Sequence, residues 1–461
     1  SRAVLLAATL VTASACHPAP KPVLPASLRQ PAATLQQDID GLLDTPDLAR
    51  GFWGVLVRSL ATGETLYTRN ADRRFVPASV QKTITRAVAA DTLGWHFTYD
   101  TPIVADGPVT AGRLAGHLRL VGSGDPSIDR ATLDAWARQV TAAGITAIDG
   151  AIVADASAFG RTGLGFGWSW DDEPYGYSAP IAAAQFNEGA VTLTLSAGAA
   201  PGHPAVVTTE PAGGLVFDMN VTTGAPDSAP RLDVRRLAGQ ERIVVDGSVP
   251  VGGKPIVQDL SVDDPALFLA QAFRRALIGA GVNVSGPAVA TRVSAGASGA
   301  NGRVVATGHS KPLREIARHL MEVSQNQVAE TLLTTVGARA GAGSPEGGIA
   351  VVNTTLATWG VQPASATLKD GSGLSRYNYV TPDALVRVLT HIHQDPKLRD
   401  EYLATLNLAG QGTMRSRLKD SPAAGNVRSK TGSMTGVRNL VGYVTSADGE
   451  PLVFAILANN F

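Results

Sequence analysis

Hydrophobic and polar positions change their spacing several times along the chain. Residues 32–48 have the spacing of an amphipathic helix, and residues 52–60 and 64–69 alternate as two strands joined by a turn would. After Pro77 the pattern becomes helical over residues 79–93, with no internal Gly or Pro. The N-terminal part of the folded chain is therefore predicted to combine a hairpin with helices.

The middle of the chain, residues 102–306, has a different character. Short strand-like runs are broken by Gly and Pro clusters, and one helix is predicted; the runs are residues 116–121, 190–195 and 243–245, and the helix is 265–280. From residue 310 the helical pattern returns, and the chain closes with strands around residues 427–444 and 452–457. The middle is therefore interpreted as material inserted into a domain built from both ends.

Three short motifs stand in a fixed order on this framework: Ser79-Val-Gln-Lys82, Ser324-Gln-Asn326 and Lys430-Thr-Gly432. Each motif is weak by itself, but the ordered trio is typical of serine hydrolases that use lysine as the base. Lys82 lies one helical turn from Ser79 on the same face. The trio therefore predicts an acyl-enzyme mechanism.

Each motif residue has a chemical reason to be there. Lys82 can take the Ser79 proton if burial and a second cation, Lys430, lower its pKa. Ser324 can bond to both lysines and relay a proton to the leaving amine, and the Asn326 amide can hold a substrate peptide group.

The third motif is predicted to meet the substrate backbone. A strand carrying Lys430, Thr431 and Gly432 can pair with an extended peptide, and Gly432 allows a close backbone approach. The backbone N–H groups of Ser79 and Ser433 are the expected oxyanion hole.

Other suggestive patterns are interpreted as structural. A second Ser-x-x-Lys at Ser416–Lys419 fits a solvated helix face. His391 and His393 are two residues apart and do not share a helix face, so no metal site is predicted. The glycines between Gly163 and Gly167 fit a loop, and Asp171-Asp-Glu173 fits a solvated acidic turn.

Composition narrows the class of partner. The chain has 461 residues, of which 44% are hydrophobic, so a sizeable core is available. Lys+Arg and Asp+Glu both number 39. This balance argues against nucleic acid as the main partner, because phosphate binding leaves a basic excess.

The N-terminal residues have the layout of an export signal. Residues 3–11 are apolar and lead to Ala13-Ser-Ala-Cys16, which carries the sole cysteine. We predict a signal peptide at residues 1–15 and a proline-rich linker at 16–31. Cys16 is predicted to be a site of lipid attachment; plain export and a buried N-terminal helix are the alternatives.

The motifs and several other segments resemble the low-molecular-mass class C penicillin-binding proteins, the D-Ala-D-Ala carboxypeptidase/endopeptidases of bacterial cell-wall metabolism. The similar segments are Val76-Pro-Ala-Ser-Val-Gln-Lys82, Leu120-Val-Gly-Ser-Gly-Asp-Pro126, Gly167-Trp-Ser-Trp-Asp-Asp172, Asp370-Gly-Ser-Gly-Leu-Ser-Arg376, Gly410-Gln-Gly-Thr413 and Ser429-Lys-Thr-Gly-Ser-Met434. The family often has Asn where Gln325 stands, and we expect no loss of activity from that difference.

The resemblance implies an α/β (α+β) fold: a transpeptidase/β-lactamase-like domain, an antiparallel sheet flanked by helices, with a large nested insertion of mostly β domains. It implies a catalytic domain at 32–101 and 307–461, an inserted domain II at 102–185 and 260–306, and an inserted domain III at 186–259.

The resemblance also implies the ligands and the place of action. The substrates would be peptidoglycan stem peptides, with β-lactam antibiotics as inhibitors, no cofactor, and a location in the periplasm or cell envelope. Near the side chain of a diamino acid in the stem peptide it implies contacts from Asp155, Phe159, Arg376 and Met434.

Two other functions fit the motifs. One is a β-lactamase or esterase of the same fold, although class A β-lactamases lack the long insertion. The other is a catalytically inactive lipoprotein that binds the cell wall. The intact side chains of all three motifs favour an active D,D-peptidase.

Overall fold

The computed structural model describes residues 32–160, 163–237, 242–292 and 302–461. The predicted signal peptide, the linker and Cys16 lie outside the described residues. The helices are α1 (Ala32–Leu43), α2 (Lys82–Leu93), α3 (Arg130–Ala142), α4 (Pro265–Gly279), α5 (Leu313–Val323), α6 (Asn326–Arg339), α7 (Pro345–Thr358), α8 (Pro382–Gln394) and α9 (Arg399–Ala404).

The strands follow in chain order. They are β1 (Phe52–Ser59), β2 (Thr65–Arg69), β3 (Asp100–Asp106), β4 (Val109–Thr110), β5 (Arg113–Leu114), β6 (His117–Val121), β7 (Ala147–Ile148), β8 (Ile152–Asp155), β9 (Ala190–Ser196), β10 (Val206–Glu210), β11 (Val216–Gly224), β12 (Arg231–Arg236), β13 (Arg242–Pro250), β14 (Ile256–Ser261), β15 (Asn283–Val284), β16 (Ala288–Thr291), β17 (Arg303–His309), β18 (Ala366–Thr367), β19 (Tyr379–Val380), β20 (Asn407–Leu408), β21 (Arg428–Met434), β22 (Val437–Thr445) and β23 (Pro451–Asn459).

The largest sheet is assembled from both ends of the described chain. Its six strands are antiparallel in the order β2-β1-β23-β22-β21-β20. Apolar residues of this sheet and of α2, α5, α6, α7 and α8 form one continuous core. The mixed α/β fold with an antiparallel sheet flanked by helices is therefore confirmed.

The middle region forms further sheets with cores of their own. A five-stranded sheet in the order β16-β8-β6-β3-β17 and a four-stranded sheet, β15-β7-β5-β4, pack with α3 and α4 around a second core. Two three-stranded sheets, β10-β9-β14 and β11-β13-β12, enclose a third core. The exact domain boundaries stay a prediction.

Two helices differ in detail from the sequence prediction. The first ends at Leu43 rather than continuing to residue 48, because Pro46 offers no amide hydrogen and disfavours helical geometry at the residue before it. The second begins as α-helix at Lys82, after a 3₁₀ turn over Ala78–Gln81 that carries Ser79.

Among the described residues, no helix has both the length and the apolar character that a membrane span requires.

Candidate active site

Ser79 lies on a tight turn that is wedged between two other segments. The preceding residue, Ala78, has a left-handed backbone (φ 46°) and is fully buried. A Cβ on Gly432 of β21 would stand 2.6 Å from the Pro77 carbonyl oxygen. A Cβ on Gly373 would stand 1.9 Å from the Ala78 oxygen. Both glycines are therefore needed for the Ser79 turn itself. From the sequence, Gly432 was explained only by the close approach of a substrate backbone.

Lys82 reaches the nucleophile from the first turn of α2. Its Nζ lies 2.8 Å from Ser79 Oγ, 2.5 Å from Asn326 Oδ1 and 2.9 Å from the Ser372 carbonyl oxygen. These three acceptors satisfy the three N–H groups of an ammonium. A neutral amine keeps the bonds to Asn326 and Ser372 and turns its lone pair to Ser79 Oγ.

Burial sets the acidity of this lysine. Lys82 is fully buried, and desolvation lowers its pKa to about 7, against the opposing charges of Asp370 and Glu330. Sequence analysis gave part of this role to Lys430, but the dominant cause is the loss of water. A lysine with a pKa near 7 has a large neutral fraction at physiological pH, as a general base requires.

The second and third motifs meet beside this pair. Ser324 ends α5 with a left-handed backbone (φ 65°), and its Oγ accepts a hydrogen bond from Lys430 Nζ at 2.8 Å. Burial, with the nearby charges of Lys82 and Arg86, holds the pKa of Lys430 well below its ordinary value. Sequence analysis expected Ser324 to bond to both lysines; the structure pairs Ser324 with Lys430, and Lys82 with Asn326.

Sequence analysis missed a pair of buried carboxyl groups behind Lys82. Glu330, one turn along α6 from Asn326, accepts hydrogen bonds from the backbone N–H groups of Gly371 and Ser372. Burial and the charge of Asp370 raise the pKa of Glu330 to about 8. The Glu330 carboxyl therefore fixes the turn whose Ser372 carbonyl contacts Lys82.

A cleft of about 370 Å³ opens at Ser79. Its walls come from the catalytic motifs, from the turn after Asp370 and from a loop of the middle region; the lining residues include Ser324, Asn326, Ser433, Met434, Arg376, Gly167, Ser169, Asp172 and Tyr177. The structure thus brings Arg376 and Met434 to the cleft with the trio. Thr431 is not among the lining residues; it is buried, and its Oγ1 donates to Thr413 Oγ1 at 3.0 Å.

Two predicted substrate contacts are corrected. Asp155 is 3% exposed at the end of β8, where its carboxylate accepts from the Ser157 N–H and pairs with Arg119 at 3.4 Å. Phe159 is 2% exposed in the second core, against Gly124. Neither residue lines the cleft, because both are engaged in holding the middle region together.

The cleft contains a different acid and a different aromatic residue, which sequence analysis missed. Asp172 accepts a hydrogen bond from the Tyr177 hydroxyl at 2.6 Å, and the Tyr177 carbonyl accepts one from Asn326 Nδ2 at 2.8 Å. Asp172 is therefore more than part of a solvated acidic turn. The signal was available, since Asp172 closes the family-like segment that begins at Gly167.

The residues interpreted as structural lie in ordinary surroundings. Ser416 and Lys419 are exposed, in turns rather than on the expected helix. His391 stacks on Trp359, and His393 lies against Tyr443. Within the described parts of the chain, no group of three or more His, Cys, Asp or Glu side chains is arranged to hold a metal ion.

This fold and this site define a class of enzyme: the serine hydrolases that form an acyl-enzyme with lysine as the base. The D-Ala-D-Ala carboxypeptidase 3 (S13) family model matches residues 35–461. The chain belongs to that family, and it is a serine-type D-Ala-D-Ala carboxypeptidase. The family resemblance is confirmed, and the family favours a D-Ala-D-Ala carboxypeptidase over the β-lactamase or esterase of the same fold.

Individual relatives agree with the family assignment. The D-alanyl-D-alanine carboxypeptidase of Actinomadura sp. (strain R39) is 36% identical over 92% of this chain and 81% of its own length. The carboxypeptidase DacB of Haemophilus influenzae is 29% identical over 88% and 85%. The crystal structure of penicillin binding protein 4 from Haemophilus influenzae matches with a TM-score of 0.81, 28% identity and 94% coverage of both chains.

Proposed function

We propose that this enzyme hydrolyses D-Ala-D-Ala bonds in peptidoglycan stem peptides, and the corresponding bonds of peptide cross-links, through an acyl-enzyme on Ser79. The observation that carries the proposal is the contact of the buried Lys82 amine with Ser79 Oγ at 2.8 Å. A poor nucleophile is activated by a base within hydrogen-bond reach, and here that base has a pKa of about 7.

Acylation begins when neutral Lys82 takes the Ser79 proton and Ser79 Oγ attacks the carbonyl carbon of the penultimate D-Ala. The oxyanion that forms is stabilised by the backbone N–H groups of Ser79 and Ser433. The C–N bond then breaks as Ser324 gives its proton to the leaving amine. Ser324 receives in turn the proton that Lys82 took from Ser79, so Lys82 enters deacylation as a neutral amine. Terminal D-Ala, or the second stem peptide of a cross-link, departs.

Deacylation uses the same groups in reverse roles. A water molecule gives its proton to the amine of Lys82 and attacks the ester carbon, and Ser79 recovers its proton as the acyl group leaves as a carboxylic acid. Lys430, bonded to Ser324 Oγ at 2.8 Å, keeps that hydroxyl oriented through both steps.

Substrate recognition is proposed to use the two walls of the cleft. The strand β21 supplies backbone groups at Thr431, Gly432 and Ser433 for an extended peptide. Asp172 replaces Asp155 as the acid that attracts the amine of a diamino-acid side chain, and Arg376 attracts a carboxylate on the same side chain. Met434 supplies an apolar contact.

β-Lactam antibiotics are proposed to acylate the same serine. The β-lactam amide imitates the D-Ala-D-Ala bond, but its amine stays tethered after ring opening, so the acyl-enzyme persists. A related penicillin binding protein 4 from Haemophilus influenzae has a crystal structure complexed with a β-lactam, and it matches this chain with a TM-score of 0.76 and 26% identity.

The site of action is proposed to be the periplasm or cell envelope. The apolar residues 3–11 and the small residues before Cys16 support export, and Cys16 is the proposed point of lipid attachment.

Three assays test the proposal. Purified enzyme should release D-Ala from a D-Ala-D-Ala peptide, and peptide mapping after a labelled penicillin should find the label on Ser79, with none in Ser79→Ala. Label on Ser416, or turnover by Ser79→Ala, would refute it. Digestion of purified sacculi, with identification of the muropeptides released, tests cleavage of cross-links.

A further inference from the structure

A left-handed turn stands where the middle region meets the catalytic core. Asn187, Glu188 and Gly189 have φ values of 51°, 56° and 68° in succession. Glycine adopts this conformation freely and asparagine with little strain, but a glutamate there costs free energy because its Cβ crowds the backbone. A strained backbone of this kind persists where contacts with the surrounding structure hold it, often at a functional site.

The contacts of the Glu188 carboxylate indicate what this residue does. One carboxylate oxygen accepts from His319 Nε2 and the other from Gln325 Nε2. His319 lies on α5, and Gln325 caps the start of α6 by accepting from the Gln327 N–H at 3.1 Å. One side chain therefore bridges the end of one helix and the beginning of the next.

The junction between these helices holds a catalytic group. Ser324 is the only residue between the two helices besides Gln325, and its left-handed backbone (φ 65°) aims its hydroxyl at Lys430. The following side chains are tied to the same part of the chain: Asn326 donates to the Tyr177 carbonyl, and Gln327 donates to Gln185 Oε1.

We infer that Glu188 is a positioning residue, which acts through Gln325 and His319 to hold Ser324 in place for proton transfer. The left-handed backbone of Glu188 places its carboxylate against both partners across the junction. The inference rests on the proposed function only because its effect is measured as a rate of acylation or peptide hydrolysis. Since a displacement of about 1 Å in a catalytic group can cost about 100-fold in rate, loss of the carboxylate should be visible in kinetics.

The first test compares two glycine variants. Glu188→Gly removes the carboxylate and relieves the backbone strain. Asn187→Gly changes the preceding left-handed residue and removes its hydrogen bond to the Ala190 carbonyl, but it leaves the carboxylate in place. We expect Glu188→Gly to keep the wild-type melting temperature or exceed it, and to lower kcat and the rate constant of penicillin acylation by about 10- to 100-fold. Asn187→Gly should keep both rates.

The second test asks whether Glu188 acts through Gln325. Glu188→Gln keeps an oxygen for the Gln325 amide and should recover part of the lost rate. Gln325→Met removes the donor, together with the cap on the Gln327 N–H. Combining it with Glu188→Gly should slow acylation by less than the product of the two single losses, because both changes break the contact between Glu188 and Gln325.

Wild-type rates in Glu188→Gly would overturn the inference, as would additive losses in the double variant. So would rate losses that only follow losses of melting temperature across the four single variants and the double variant. Penicillin acylation tests the contact even if the wild-type enzyme fails to hydrolyse D-Ala-D-Ala peptides. That failure would refute the proposed function and leave the inference about Glu188 standing.

Discussion

Lys82 combines two properties that normally exclude each other. It is fully buried, which disfavours its charge, yet its Nζ has three oxygen acceptors within 2.9 Å, which suit an ammonium. The outcome is an amine whose pKa is about 7, so both protonation states are accessible during one catalytic cycle. The charge of Asp370 is the largest influence that keeps burial from lowering the pKa of Lys82 further.

Replacing Lys82 by arginine should abolish turnover although the positive charge is kept, because a guanidinium does not deprotonate near neutral pH. Loss of the general base should lower the acylation rate constant by about 10² to 10⁴. Lys82→Met, which keeps the length of the side chain without its amine, is the matched variant and should lose as much. The measurement is penicillin labelling over time, with melting temperatures as the control for folding. Acylation by Lys82→Arg at close to the wild-type rate would show that another group is the base.

The acylation rate should rise with pH through about 7. Only neutral Lys82 can accept the Ser79 proton, and its pKa of about 7 means that the neutral fraction increases up to that pH and levels off above it. A chromogenic β-lactam followed from about pH 5 to about pH 9 gives the profile, with a slope near tenfold per pH unit on the acidic side. A midpoint near 10, the ordinary value for lysine, would contradict the assignment.

The strand β21 does more than present substrate-binding groups. It lies between β22 and β20 in the sheet, and at Gly432 it presses on the turn that carries Ser79. A missing Cβ at one position of the strand thus fixes the distance between the third motif and the nucleophile.

Gly432→Ala should therefore damage the site from within. Its Cβ would meet the Pro77 oxygen at 2.6 Å and the Ser79 nitrogen at 3.2 Å, and crowding of this kind costs about 1 to 3 kcal/mol. Gly41→Ala on α1 is the control, since nothing lies within 4 Å of its Cβ and alanine favours helix by up to about 1 kcal/mol. The melting temperature and the rate of penicillin labelling should both fall in Gly432→Ala and stay at the wild-type values in Gly41→Ala. Unchanged labelling in Gly432→Ala would mean that the turn can move away freely.

Contacts between residues close in the sequence were predictable, whereas contacts between distant residues were not. The spacing of Ser79 and Lys82 on one helical face is local, so the pattern was enough to predict their contact. The acid of the cleft was not predicted. Asp155 and Asp172 are both aspartates, and only the path of the loop that follows β8 decides which of them reaches the cleft. Glu330 was missed for a related reason: its partners, Gly371 and Ser372, are distant in the sequence.

Across the whole chain, the cleft is a joint product of the middle region and the catalytic core. Asp172 and Tyr177 come from the middle region, whereas Arg376 and Met434 come from the C-terminal part, and the same cleft includes Ser79. The middle region therefore contributes directly to the lining of the cleft at Ser79. The division of the insertion into domains II and III, and the lipid anchor at Cys16, stay predictions.

The two walls of the cleft should affect substrate choice more than acylation by penicillin. Asp172 and Arg376 both line the cleft. They are proposed to pair with the amine and the carboxylate of a diamino-acid side chain, and most penicillins carry no such side chain. Asp172→Ala and Arg376→Ala should each lower kcat/KM for a stem peptide by about tenfold or more, while penicillin acylation stays within about threefold of wild type. Asp155→Ala is the matched control: this carboxylate is buried against Arg119, so its loss should lower the melting temperature and reduce both activities together. If Asp172→Ala instead loses both activities in parallel with its melting temperature, its role is to hold the loop and the Tyr177 hydroxyl in place, and the recognition of a diamino acid must lie elsewhere in the cleft.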